Sequence, residues 1–161
     1  MFIPQSDLFK GLDEQTMTEI TKIMVEEKYN AGDVIYTEKD NASKFYILWE
    51  GRVELTFGTE AEIDYTVSRR GEVFGWSSLV DRAKYTARAR CVESTSVFAI
   101  DKEKIEKTFV GYPDGGKLFY KNLAAAVVQR LVDTYQAFLI EGSLKGVTSF
   151  GTGQVMHAAE D

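Results

Sequence analysis

The middle of the chain is cut into pieces too short to be long helices. "GDVIYTEKD", "KFYILWEG", "RVELTFG", "EIDYTVSRRG", "TARARCV" and "TSVFAID" are rich in β-branched and aromatic residues, and each is bounded by Gly, Asn, Asp or Glu-Gly. Glycines at 32, 51, 58 and 71 fall where such a chain must reverse. "WEGR" reads as a tight hairpin in which Gly51 supplies a positive φ. Many short strands at this spacing predict a closed or two-layered antiparallel barrel.

Both flanks have a helical texture. A short turn around "SDLFKGL" precedes a helix capped by Asp13, with Met17, Ile20, Ile23 and Met24 at helical spacing. After Ile100, "DKEKIEKTF" predicts a second helix capped by Asp101, and "VGYPDGG" breaks it. A long helix then covers about 114–141, with Tyr120, Leu123, Ala124, Val127, Val128, Leu131, Tyr135, Phe138 and Leu139 on one wide apolar face and Gly142 as its stop. About 25 residues of helix span roughly 38 Å, more than a small barrel needs as a lid. The spare face packs either on its own domain or on the same helix of a second copy. Residues 143–161 are Gly- and Ser-rich and predict a flexible tail.

The totals exclude much chemistry. No apolar run approaches the roughly 18 residues that span a bilayer, and "MFIPQSDLFKGL" has no signal-peptide pattern. Cys91 and His157 are the only cysteine and histidine, so neither a zinc site, a His-based triad nor a Cys-His dyad can be assembled. A lone cysteine fits a reducing cytoplasm. We therefore expect no enzyme, no cofactor, no metal and no membrane association. The net charge of −6 argues against a surface that grips nucleic acid. Positive charge is nonetheless concentrated between Arg69 and Arg90, where Arg69, Arg70, Arg82, Lys84, Arg88 and Arg90 face only two acids, Glu72 and Asp81. Such a run is either a solvated strand face or a local anion site.

Three stretches resemble one family in order and spacing. They are "LFKGL" before a helix, "AGDVIYTEKDNASKFYILWEGRVEL", and "RGEVFGWSSLV". Over about residues 5–140 the chain is similar to the cyclic-nucleotide-binding domain of catabolite-activator-type regulators, the regulatory subunit of protein kinase A and cyclic-nucleotide-gated channels. One departure is Lys39, which stands where the family has a glycine at the polar turn. The resemblance implies an α+β fold: an antiparallel β-roll of the double-stranded β-helix or jelly-roll type, with N-terminal helices and a long C-terminal helix. Residues 1–142 would form that domain.

The resemblance also implies a phosphate-binding cassette. In the family, backbone N–H groups at a short helix start face the cyclic phosphate. An Arg on the next strand pairs with the phosphate, and a Glu at the helix start accepts from the ribose 2′-hydroxyl. Here Trp76 aligns with the Glu, Tyr85 with the Arg, and Thr86 with a small or hydroxyl residue. An indole N–H only donates, and a phenol offers one neutral bond in place of a charged bidentate pair. Losing both anchors is expected to weaken cyclic-nucleotide binding by roughly 3–5 kcal/mol, hundreds- to thousands-fold. Gly75 still permits the bend, and Ser77 and Ser78 still offer amides and hydroxyls. Of the bases, Arg82 and Lys84 are better placed than Arg88, which points away if Tyr85 faces the pocket. Trp76 alternatively fills the emptied pocket, Tyr85 belongs to the core, and the bases are solvated.

Two functions follow. One is a stand-alone regulatory sensor that binds a cyclic nucleotide or other small anion weakly or with altered specificity, and signals through its C-terminal helix to an unidentified protein partner. The other is a ligand-free dimerisation or scaffold module with an occluded pocket. Either predicts a homodimer through Val127, Val128, Leu131, Tyr135 and Phe138. DNA binding is not expected, because the 19 residues after Gly142 are Gly-rich and nearly uncharged.

Overall fold

A computed structural model of the chain describes residues 5–58, 63–141, 147–150 and 154–157. The element order is a 3-10 turn (Asp7–Phe9), α1 (Glu14–Ile23), β1 (Met24–Tyr29), β2 (Val34–Tyr36), β3 (Lys44–Glu50), β4 (Val53–Phe57), β5 (Ile63–Val67), β6 (Val73–Phe74), a 3-10 helix (Trp76–Val80), β7 (Arg88–Cys91), β8 (Thr95–Asp101), α2 (Lys102–Gly111), α3 (Pro113–Glu141), β9 (Val147–Phe150) and β10 (Gln154–His157). Two compact units result, Met1–Leu123 and Ala124–Asp161, and α3 contributes residues to each.

The first unit is the expected antiparallel β-roll with helices. One sheet has the order β1-β8-β3-β6, the other β2-β7-β4-β5. Strand β3 shows how the sequence encodes this. "FYIL" has no polar alternation because both faces of its sheet are covered. Tyr46 and Leu48 point into the roll with Val97, Ala99, Val53, Leu55, Ala89 and Cys91. Phe45 and Ile47 point outward to a second core, made with Leu8, Met17, Ile20, Ile105, Phe109 and Phe119 of the N-terminal turn and helices. On β7 the pattern alternates: Ala87, Ala89 and Cys91 are interior, and Arg88 and Arg90 are only half-buried.

Helix boundaries follow local chemistry. The Asp13 carboxylate accepts from the Thr16 N–H at 2.9 Å, and the Asp101 carboxylate from the Lys104 N–H at 3.2 Å, as the caps predict. The break between α2 and α3 is narrower than "VGYPDGG" suggests. It is the single residue Tyr112, after which Pro113 opens α3. Gly115 and Gly116 are inside that helix because it starts flush against its neighbours: a Cβ on Gly115 would lie 2.6 Å from the Thr16 methyl, and one on Gly116 2.8 Å from the Phe109 Cβ.

Two readings need correction. Met24 is not on the helix as its spacing suggests: α1 ends at Ile23, and Met24 opens β1, the edge strand paired with β8 from Met24↔Ile100 to Tyr29↔Thr95. Nor is "WEGR" a hairpin. Strands β3 and β4 belong to different sheets, so Gly51 turns a corner between layers. Its φ is +96°, and a Cβ there would meet the Ser94 carbonyl oxygen at 2.5 Å. Positive φ was legible, but the turn's partner was not.

In the second unit, α3 carries exposed Val127, Val128, Leu131, Val132, Tyr135, Leu139 and Ile140, with Phe138 half-buried. Strands β9 and β10 pair antiparallel, Phe150 opposite Gln154. The remainder of the 143–161 tail and Gly142 lie outside the described residues, apart from those two strands.

Candidate functional site

The segment that the resemblance aligns with a phosphate-binding cassette, called the cassette below, lies between β6 and β7. Gly75 is left-handed, with φ +73° and ψ 20°, and breaks β6 into the 3-10 helix Trp76–Val80. A glycine is needed there twice over. Besides the φ, a Cβ would lie 3.1 Å from the Tyr46 ring and 3.3 Å from the Lys44 carbonyl oxygen. The helix ends at Asp81, whose φ of +57° is the only positive value at a non-glycine among the described residues. The Asp81 carboxylate pairs with Lys102 Nζ at 2.7 Å, which ties the cassette to the start of α2.

The expected site residues divide into three groups. Gly75, Ser77, Ser78 and Thr86 come together: Ser78 Oγ donates to the Gly75 carbonyl at 3.1 Å, and Ser77 Oγ lies 3.5 Å from Thr86 Oγ1. Ser77 and Ser78 are buried. Trp76 turns to the other side of the sheet and packs against the outer core beside Leu79, not into the roll. Arg82 and Lys84 are exposed on the segment leaving the cassette. Lys84 Nζ donates to the Lys39 carbonyl and to Asn41 Oδ1, both at 2.8 Å.

Tyr85 fills the roll. It is 5% exposed and stacks on Tyr36 with centroids 3.8 Å apart and planes at 16°. Tyr46 stacks on Phe74 at 5.3 Å in the same cluster. The Tyr85 hydroxyl donates to the Lys44 carbonyl at 2.7 Å and accepts from the Lys44 N–H at 3.2 Å. Its one hydrogen is thus taken by the main chain. Burial, ahead of the opposing hydrogen bonds, pushes the Tyr85 phenol above its ordinary value. Burial also raises Tyr46 and Tyr29 well above theirs.

The dense run of bases separates in space. Arg70 stacks over the Trp49 ring at 4.1 Å and pairs with Glu50 at 3.2 Å. Arg90 pairs across the strands with Glu54 at 3.0 Å. Arg88 shares that outer face, opposite Thr56, and points away from the roll as strand alternation requires. Arg82 and Lys84 stay on the exposed segment that leaves the cassette. Sequence reasoning missed Tyr36, Lys44 and Asn41, which partner Tyr85 and Lys84 from the β2–β3 side. Their one visible signal was the irregular turn at Lys39. That turn forms without a left-handed residue, because the Asp40 carboxylate accepts from the Thr37 N–H at 2.8 Å.

Two four-stranded antiparallel sheets, a Gly-bent 3-10 segment and a helical outer layer define a β-roll class of fold. The sequence profile described as "Cyclic nucleotide-binding domain" matches residues 26–112, and the chain belongs to that family. It is similar to cGMP-dependent protein kinase 2 of Homo sapiens, 30% identical over 111 residues, which cover 66% of this chain and 15% of that protein. It is also similar to cyclic nucleotide-gated channel beta-3 of Canis lupus familiaris, 24% identical over 80% of this chain and 17% of the channel. The chain thus spans about a sixth of the length of these relatives. Among solved structures, a putative cyclic nucleotide-binding protein from Geobacter metallireducens GS-15 superposes with a TM-score of 0.70 at 29% identity, over 81% of this chain and 99% of that one. The family's fold serves sensor and regulatory roles rather than catalysis. No helix among the described residues is long and apolar enough to cross a membrane.

Proposed function

We propose that the chain is a regulatory domain of the cyclic nucleotide-binding fold whose affinity for cyclic nucleotides is weak, and that it works through α3 on a second copy and on a protein partner. Tyr85 carries this reading. The ring that aligns with the phosphate-pairing arginine is stacked on Tyr36, and its hydroxyl is bonded twice to Lys44. What remains for an anion is the serine pair behind Gly75 and the cations of Arg82 and Lys84. Lys84 Nζ is engaged by Lys39 and Asn41, and Arg82 is exposed rather than held inside the roll, so the buried charged pair of the family is not reproduced.

The same observation favours the second reading, a ligand-free dimerisation module. Occlusion then comes from Tyr85 rather than from Trp76, which packs with the outer core. In either reading α3 is the output. Its exposed Val127, Val128, Leu131 and Tyr135 form one apolar stripe, and a second copy is its natural cover. Cys91 is buried and unpaired, which suits the cytoplasm.

Thermal shift tests the reading. A ligand at about 1 mM with a Kd of about 1 μM would stabilise the fold by about 4 kcal/mol. We expect cyclic AMP and cyclic GMP to raise the melting temperature little or not at all. A shift of that full size with either nucleotide overturns weak binding.

A further inference from the structure

The segment leaving the cassette is hydrogen-bonded to the β2–β3 loop at several points. The Ala42 N–H donates to the Ala83 carbonyl at 3.0 Å, and the Tyr85 N–H to the Asp40 carbonyl at 3.4 Å. Asn41 and Lys84 form an isolated antiparallel bridge between these two bonds. Lys84 Nζ reaches the Lys39 carbonyl and Asn41 Oδ1 from outside, while the Tyr85 hydroxyl holds both main-chain groups of Lys44 from inside. Two departures from the family pattern, Lys39 and Tyr85, therefore meet at one seam. The roll side of that seam is closed by the Tyr36–Tyr85 stack.

Building on the reading of a regulatory roll with an altered cassette, we propose that Lys84 and Tyr85 form an internal latch, which fixes the cassette exit against residues 39–44 with the chain's own atoms and keeps the roll shut. Tyr85 is the stronger half. Its ring is buried and its two hydroxyl bonds are partly so, and their loss leaves the Lys44 carbonyl and N–H without this partner. Lys84 is exposed, and water competes for its two bonds. Residues 81–86 then open together when the latch is released, and the stable pairing of β3 with β8 stays closed.

Native-state amide hydrogen exchange without any nucleotide tests this in the whole chain. Tyr85→Phe keeps the stacked ring and removes only the hydroxyl; Lys84→Met keeps the aliphatic stem. In Tyr85→Phe the amides of Ala42, Lys44 and Tyr85 are expected to exchange about tenfold faster or more, and those of Ile47 and Val97 at the wild-type rate. In Lys84→Met the acceleration at Ala42 and Tyr85 is about two- to threefold. Unchanged exchange in Tyr85→Phe overturns the latch. So does acceleration spread equally through β3 and β8, because the hydroxyl then only supports general packing. An unchanged Lys84→Met overturns the part assigned to Lys84. Because no nucleotide is used, tight cyclic AMP binding by the wild type would defeat the proposed function and leave this result standing.

Discussion

Tyr85 lies face to face with Tyr36 inside the roll, centroids 3.8 Å apart, and its hydroxyl closes a two-way hydrogen bond with the Lys44 main chain. One side chain therefore joins β2, β3 and the cassette exit. Removing the hydroxyl in Tyr85→Phe should cost about 1–3 kcal/mol, because both Lys44 groups lose their partner. Tyr85→Ala should cost about 3–5 kcal/mol through the cavity it leaves. Denaturant midpoints at constant slope measure both, and equal midpoints for wild type and Tyr85→Phe would show that the bonds add nothing.

Alkaline stability follows from the same cluster. Burial raises Tyr29, Tyr46 and Tyr85 above the ordinary value of 10.0. A raised folded value means that the unfolded chain ionises first. The contribution of these phenols is therefore full below pH 10 and is lost as pH climbs from there through their folded values. Thermal melts between pH 8 and pH 12 should fall steeply above about pH 10, and Tyr46→Phe should flatten that fall. Tyrosinate absorbance that shows all eight phenols titrating near pH 10 before unfolding would contradict the burial argument.

Gly75 is fixed by both conformation and space. Gly75→Ala should destabilise by at least about 1–2 kcal/mol from the left-handed φ alone, with further cost from the approach to Tyr46 and Lys44. Calorimetric melting measures it. A neutral effect would mean the bend relaxes to negative φ.

Helix α3 gives a prediction about assembly. The stripe of Val127, Val128, Leu131 and Tyr135 is exposed in the described chain. Sedimentation at micromolar concentration should show a dimer, and Leu131→Asp should shift it to monomer without lowering the melting temperature of the roll. A wild-type monomer under these conditions removes the dimer from the account.

Much of the roll was legible because strand length and glycine spacing are local signals. Asp13 and Asp101 marked their helices for the same reason, since a cap needs only its own turn. β1 was not legible. "VEEKY" follows a helix directly, is mostly polar, and owes its strand state to pairing with β8. Gly51 showed the same limit: its φ is a local property, but its role as a corner depends on which sheet each flanking strand joins. At the site, the resemblance pointed to residues 75–86 and aligned Trp76 and Tyr85 with the two charged anchors of the family. It did not show that Trp76 and Tyr85 go to opposite sides of one sheet, because helix rotation after Gly75 decides that. The partners Tyr36 and Lys44 lie 49 and 41 residues from Tyr85, beyond any local pattern.

The central claim is that Tyr85 occupies the roll in place of a charged anchor. Isothermal titration of wild type and of Tyr85→Arg with cyclic AMP and cyclic GMP tests it most directly. The account predicts no submicromolar Kd for the wild type, and a gain of about ten- to hundred-fold in Tyr85→Arg with at least one nucleotide. A submicromolar Kd for the wild type, or equal affinities in the two proteins, would contradict it.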